Sequence, residues 1–105
     1  MPSDIVIKDD GTEIGRFTNS SSDLILKTTV SDKDLIIQGN DGGSAITALT
    51  LDMSAAGAAA FNSTVTATGF IIGSANIGEA ELEIIDGATV TTTELNLIDG
   101  DTARG

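Results

Sequence analysis

Asp4-Ile5-Val6-Ile7-Lys8, Asp23-Leu24-Ile25-Leu26-Lys27 and Asp34-Leu35-Ile36-Ile37-Gln38 are three versions of one phrase: an Asp, three branched aliphatics, then a long polar residue. Short aliphatic runs bounded by Ser, Asp and Gly clusters read as strands. Three aliphatics in succession predict strands covered on both faces, unlike the alternation of a half-solvated sheet. Asp9-Asp10-Gly11 and Asn40-Asp41-Gly42-Gly43 read as turns, because Gly accepts positive φ and Asp or Asn tolerates it. The first closes a hairpin between residues 4–8 and 12–17. Residues 46–53 alternate, with Leu49, Leu51 and Met53 on one side and Thr50 and Asp52 on the other, which predicts a strand with one buried face. Ser54 to Ala60 is Ala-rich and helical by propensity. Gly57 interrupts it and no large apolar residue anchors it, so a turn flanked by strand is the preferred reading. Residues 61–72 return to β-branched and aromatic residues and read as strand.

The last third has a different texture. Glu81-Leu82-Glu83-Ile84-Ile85-Asp86-Gly87 returns as Glu94-Leu95-Asn96-Leu97-Ile98-Asp99-Gly100, a repeat of 13 residues separated by Thr-rich spacers. Leu82 and Ile85, like Leu95 and Ile98, have the i, i+3 spacing of one helical face. Thr91 and Glu94 have capping-box spacing, and Gly100 stands where a C-terminal cap belongs. Each copy reads as one or two turns of helix. A strand reading, Leu-x-Ile ending in an Asp-Gly turn, stays open. The expected organisation is a strand-rich segment over 1–78 and a repeat region over 79–105. A third copy would begin near residue 107, so the final repeat is incomplete and the chain reads as a piece of a longer one. A repeat this short buries no apolar face by itself and has to stack on neighbours or on identical chains.

Composition points the same way. The 105 residues include three Phe, no Trp, no Tyr and no Cys. A globular monomer of this size hides only about two-thirds of its unfolded surface. It normally leans on aromatic burial or disulfides to reach stability. Association of identical chains is the remaining source. The chain also lacks His, so the commonest general base and, with Cys absent, the usual zinc ligands are missing. No catalytic residue, cofactor or metal is expected. Sixteen acidic residues against five basic give a formal charge of −11. Lys8, Arg16, Lys27, Lys33 and Arg104 are scattered rather than gathered on a phosphate-binding face, which argues against nucleic acid. No run approaches the roughly 18 apolar residues of a membrane span. Met1-Pro2-Ser3-Asp4 does not read as a secretory leader.

Three stretches of the chain carry a resemblance. Glu94-Leu95-Asn96-Leu97-Ile98-Asp99-Gly100 resembles the ELN-x-LDG phrase of tailed-bacteriophage tail fibres, especially those of marine phages. Ala48-Leu49-Thr50-Leu51-Asp52-Met53, followed by Gly57 and Ala60-Phe61, resembles their ALTLD…G-x-A-x-F segment. The opening Asp4 to Glu13 is similar to strand segments of the same proteins. Together these cover most of the chain, residues 71–79 being the least distinctive. The resemblance implies a mainly β, elongated homotrimeric fibre on the outside of a virion, the shaft of a tail fibre or spike. Three chains would wrap a common axis, and a host-surface glycan or protein would be met by parts outside this chain. Leu82, Ile85, Leu95 and Ile98, the recurring large apolar positions, are then expected at a trimer seam, with Leu49, Leu51 and Phe61. The alternatives are a β-solenoid adhesin or glycan-binding module and, third, a capsule-degrading spike enzyme.

Sharper chemical readings meet simpler ones at each motif. Gly39 to Ile46 resembles one nonapeptide of a calcium-binding β-roll, but such sites need consecutive copies, and a Gly-rich turn accounts for it. Asp86, Asp99, Glu81, Glu83 and Glu94 form an acidic series at fixed period. A glycosidase needs two carboxylates about 5–10 Å apart. Their repetition, without substrate-stacking aromatics, fits solvated faces and turns better, although threefold copies of a carboxylate could meet a cation near an axis. Gly69 to Gly78 has spaced glycines without dinucleotide-binding spacing. The many Ser and Thr hydroxyls have no base to activate them.

Overall fold

The computed structural model describes residues 3–98. They are mainly β, with two short helices. Two units are distinguished, Met1–Val65 and Thr66–Gly105.

The first unit holds two three-stranded antiparallel meanders. In the first, β1 (Ile5–Asp9), β2 (Thr12–Ser20) and β3 (Asp23–Thr28) lie in that order. The Asp10-Gly11 turn closes β1 on β2 with φ of 53° and 84°, the two positive values of the primed turn that matches strand twist. In the second, β4 (Leu35–Asp41), β5 (Ser44–Asp52) and β6 (Ala58–Phe61) follow in the same arrangement. Each meander carries one bulge. Ile7 pairs with Gly15 and Lys8 with Glu13, leaving Ile14 unpaired; Ile37 pairs with Leu49 and Gln38 with Thr47, leaving Ala48 unpaired. An Asn side chain fixes a turn in each: Asn19 Oδ1 accepts from the Ser22 N–H at 2.8 Å, and Asn40 Oδ1 from the Gly43 N–H at 2.7 Å.

The Ala-rich patch forms a turn followed by a strand. Met53–Ala55 makes one 3-10 turn, Ala56 and Gly57 take φ of 58° and 81°, and β6 returns along β5. Asp52 organises the corner, its Oδ1 accepting from the Ser54 N–H at 3.1 Å and its carbonyl from the Gly57 N–H at 2.8 Å. Met53 therefore leaves the strand instead of extending its apolar face.

The second unit contains a hairpin, β7 (Gly69–Ile72) and β8 (Ala75–Gly78), then α1 (Glu79–Ile85) and α2 (Thr92–Ile98). The continuous strand expected over 61–72 is broken: residues 62–68 join no ladder. Thr64-Val65-Thr66 has strand propensity, but propensity without a paired neighbour gives no sheet. The glycine-spaced stretch 69–78 is the hairpin itself, with Gly73 at φ 61° in a two-residue Gly73-Ser74 loop. Because α1 packs against β8, the hairpin groups with the helices, whereas the sequence placed a boundary at 78/79.

Both repeat copies are helical. In the second, the reciprocal capping box is complete: the Thr91 N–H donates to Glu94 Oε1 at 2.8 Å and the Glu94 N–H to Thr91 Oγ1 at 3.1 Å. In the first, Gly78 has no side chain, so half the box remains, with the Gly78 N–H donating to Glu81 Oε1 at 2.6 Å. This starts α1 two residues ahead of the repeated phrase. It ends in a tight turn, Asp86 at φ −65°, ψ 123° and Gly87 at φ 81°, closed by the Ala88 N–H on the Ile85 carbonyl at 3.0 Å. This is the geometry of a type II turn, which requires positive φ at its third residue. Asp99 and Gly100, the corresponding end of the second copy, lie outside the described residues. Among the described residues no helix is long and apolar enough to cross a membrane.

Candidate functional site

Sheet register sorts side chains by face, because residues paired directly across strands share a side and alternate along each strand. In the first meander Ile5 aligns with Phe17 and Leu26, and Ile7 with Gly15 and Thr28. The opposite face carries Val6, Arg16 and Lys27 in one row and Thr18 beside Ile25 in the next. In the second meander Leu35 aligns with Leu51 and Ala59, and Ile37 with Leu49 and Phe61. Its other face shows Ile36, Thr50 and Ala60, then Asp52 and Ala58. Each meander thus has one face dominated by large apolar residues and one mixed or polar face.

The polar face of the first meander is fixed by an ion-pair cluster. Arg16 grips Glu13 with two bonds, Nε to Oε2 at 2.7 Å and Nη2 to Oε1 at 2.6 Å, and reaches Asp4 Oδ2 through Nη1 at 3.0 Å. The Thr18 hydroxyl donates to Asp4 Oδ1 at 2.8 Å. The hydrogen-bonded Arg16 guanidinium holds the Glu13 carboxyl below its ordinary value of 4.5. The Thr91 backbone N–H and then its hydroxyl do the same for Glu94. Since the folded pKa of Glu13 is lowered, its contribution is complete above about pH 4.5 and disappears as pH falls through the folded value. Glu13→Gln is therefore expected to be less stable than the wild type at pH 7, by the modest amount usual for an exposed pair. The gap should narrow at pH 3, below the ordinary value of 4.5. Thermal melts at the two pH values check this, and a gap independent of pH would assign Glu13 a packing role instead.

What the apolar faces lack is cover. Among the described residues no apolar side chain is buried, and Gly15 alone falls in the buried class. The expectation that three-aliphatic strands are covered on both faces fails within one chain: Leu24 is 79% exposed, and Ile5, Ile7, Leu26, Ile36 and Ile37 are also exposed. The chain exposes 8928 Å². A folded monomer of its 10.6 kDa mass would expose about 5,500 Å². The surplus, roughly 3,400 Å², lies in the range of obligate subunit interfaces.

The seven residues expected at a seam fall into separate places. Leu49 and Leu51 are half-buried on β5, and Phe61 lies directly across from Leu49 on the same face. Leu82 and Ile85 sit on α1, Leu95 and Ile98 on α2; exposure among these four runs from 43% at Leu82 to 72% at Ile98, so none is covered within its own chain. Leu82 shares a shallow groove with Phe70, rimmed by Glu79, Glu83 and Asp86. On the equivalent face of the first meander, Phe17 is expected from the sequence as an aromatic anchor, like Phe61 and Phe70, whereas sequence reasoning missed Ile5, Ile7, Leu24 and Leu26. The signal was available, since the first and third aliphatics of each phrase must share a face. A second groove, lined by Ile7, Ile14, Leu26, Val30 and Leu35, runs where the two meanders meet.

Chemically, the exposed apolar residues of this surface offer dispersion contacts and desolvation. Among the described residues no three His, Cys, Asp or Glu side chains are grouped to hold a metal ion. The Gly42-Gly43 segment is a hairpin loop with the Asn40 side chain engaged in the turn. Comparison with protein-family profiles, with curated proteins and with solved structures finds no match.

Proposed function

We propose that this chain is a structural segment of a bacteriophage tail fibre or spike shaft, assembled as a homotrimer that holds a distal host-recognition tip on the virion. The observation that carries the reading is the lack of any buried apolar side chain among the described residues, together with about 3,400 Å² of surplus surface. Such a chain gains its stability from sister chains, which is how a shaft is built. The phage assignment and the number three come from the two phrases, around Leu49-Thr50-Leu51-Asp52 and around Glu94-Leu95-Asn96. A non-enzymatic role fits a sequence without His or Cys.

A self-contained solenoid is less well supported. Its repeats would enclose an apolar interior within one chain, and every ladder among the described residues is antiparallel with exposed faces. Native mass spectrometry tests the assembly directly. The expected species is three times the 10.6 kDa chain mass; a single-chain mass would overturn the reading.

A further inference from the structure

The two meanders of the first unit repeat one design. Ile5 and Ile7 correspond to Leu35 and Ile37, and the bulge follows immediately in both, at Ile14 and at Ala48. Each bulged residue receives the same closing bond from the residue just after the third strand: the Thr29 N–H donates to the Ile14 carbonyl at 3.1 Å, and the Asn62 N–H to the Ala48 carbonyl at 3.1 Å. Beyond the bulge, Gly15 and Phe17 correspond to Leu49 and Leu51, and their partners Thr28 and Leu26 to Phe61 and Ala59.

The side chains differ while the face does not. Where the first copy sets Gly15 beside Thr28 and Phe17 beside Leu26, the second sets Leu49 beside Phe61 and Leu51 beside Ala59. Bulk moves from one row to the other and stays on the same side of the sheet. The reverse sides are mixed: Arg16, Thr18 and Lys27 stand with Val6 and Ile25 in one copy, and Thr50 and Asp52 with Ile36, Ala58 and Ala60 in the other.

We propose that this repeated apolar face is the surface through which identical chains associate, one layer of contact for each meander, so that the first unit carries two successive layers of one interface. The proposal rests on the homotrimer reading and names its surface. The occupant is a second copy because the surplus area of the whole chain, to which this exposed face contributes, is of the size that obligate interfaces bury. A net charge of −11 on every copy opposes association overall, so apolar contact has to supply the attraction.

Three variants of the full chain, measured beside the wild type by sedimentation equilibrium and native mass spectrometry, test the assignment. Leu26→Asp places a charge on the apolar face of the first meander and Leu51→Asp on that of the second. Thr50→Asp places the same charge one residue away, on the reverse face. At the concentration where the wild type is fully assembled, Leu26→Asp and Leu51→Asp are expected to lose the assembled species and Thr50→Asp to keep it. A wild type that is itself a single chain would remove the homotrimer reading. An assembled wild type whose Leu26→Asp and Leu51→Asp forms also stay assembled would overturn the face alone. Dissociation by Thr50→Asp equal to that by Leu51→Asp would overturn it too, since the face would then decide nothing.

Discussion

Leu49→Ala is expected to destabilise the assembly by about 2–5 kcal/mol at each site, the range for a large apolar side chain removed from a packed interior that cannot collapse. Leu49 stands on the central strand of its meander, between Ile37 and Phe61. It is half-buried in the single chain, so a sister chain has only to close one side. In the proposed homotrimer symmetry would repeat the loss in every subunit, which makes the variant as a whole one of the most damaging available. Denaturant melts at matched protein concentration measure it. Leu95→Ala serves as the parallel case for the helical repeat, with a cost in the same range if α2 also lies at a seam. A large effect at Leu49 with none at Leu95 would confine the seam to the meanders; no effect at Leu49 would mean that nothing covers Phe61 and its neighbours.

The second large effect is that of salt. A formal charge of −11 per chain would triple in the proposed homotrimer, and like charge on a compact particle opposes assembly. Screening acts over about 10 Å at 0.1 M salt and about 3 Å at 1 M. Salt also weakens the Arg16 ion pairs, but Arg16 is partly exposed, and pairs of that kind contribute little. Repulsion therefore sets the sign. The thermal midpoint is expected to rise between a few millimolar and about 0.5 M sodium chloride, by about 4–8 °C for each kcal/mol of repulsion removed in a chain of this size. A flat or falling midpoint would mean that close partners or bound cations already neutralise the carboxylates.

Local signals were the legible part of the fold. The three aliphatic phrases lie in β1, β3 and β4, because β-branched runs between turn residues have few other options. Asp10-Gly11 made the predicted hairpin, and Thr91 with Glu94 made the predicted cap. Non-local features were hidden. A bulge shifts the period of two by one residue, so Ile14 and Ala48 disguise the alternation on β2 and β5. The meander repeat escaped notice because the second hairpin is longer: seven residues separate Ile7 from Gly15, whereas eleven separate Ile37 from Leu49. No fixed period survives such an insertion. The Gly73-Ser74 loop between β7 and β8 is a two-residue hairpin signal present in the sequence. The candidate surface was half legible: Leu49 and Leu51 emerged from alternation and Phe17 and Phe61 from their aromatic bulk, whereas Ile5, Ile7, Leu24 and Leu26 required the register.

The central claim is that one chain has no apolar core among its described residues and that folding and association are a single event. The dependence of the thermal midpoint on total protein concentration tests this most directly. Coupled folding and trimerisation shift the midpoint upward as concentration rises, by mass action, and melts followed by far-ultraviolet circular dichroism over three decades of concentration should show that steady rise. A midpoint that stays constant across the same range would mean the chain folds alone, contradicting the account.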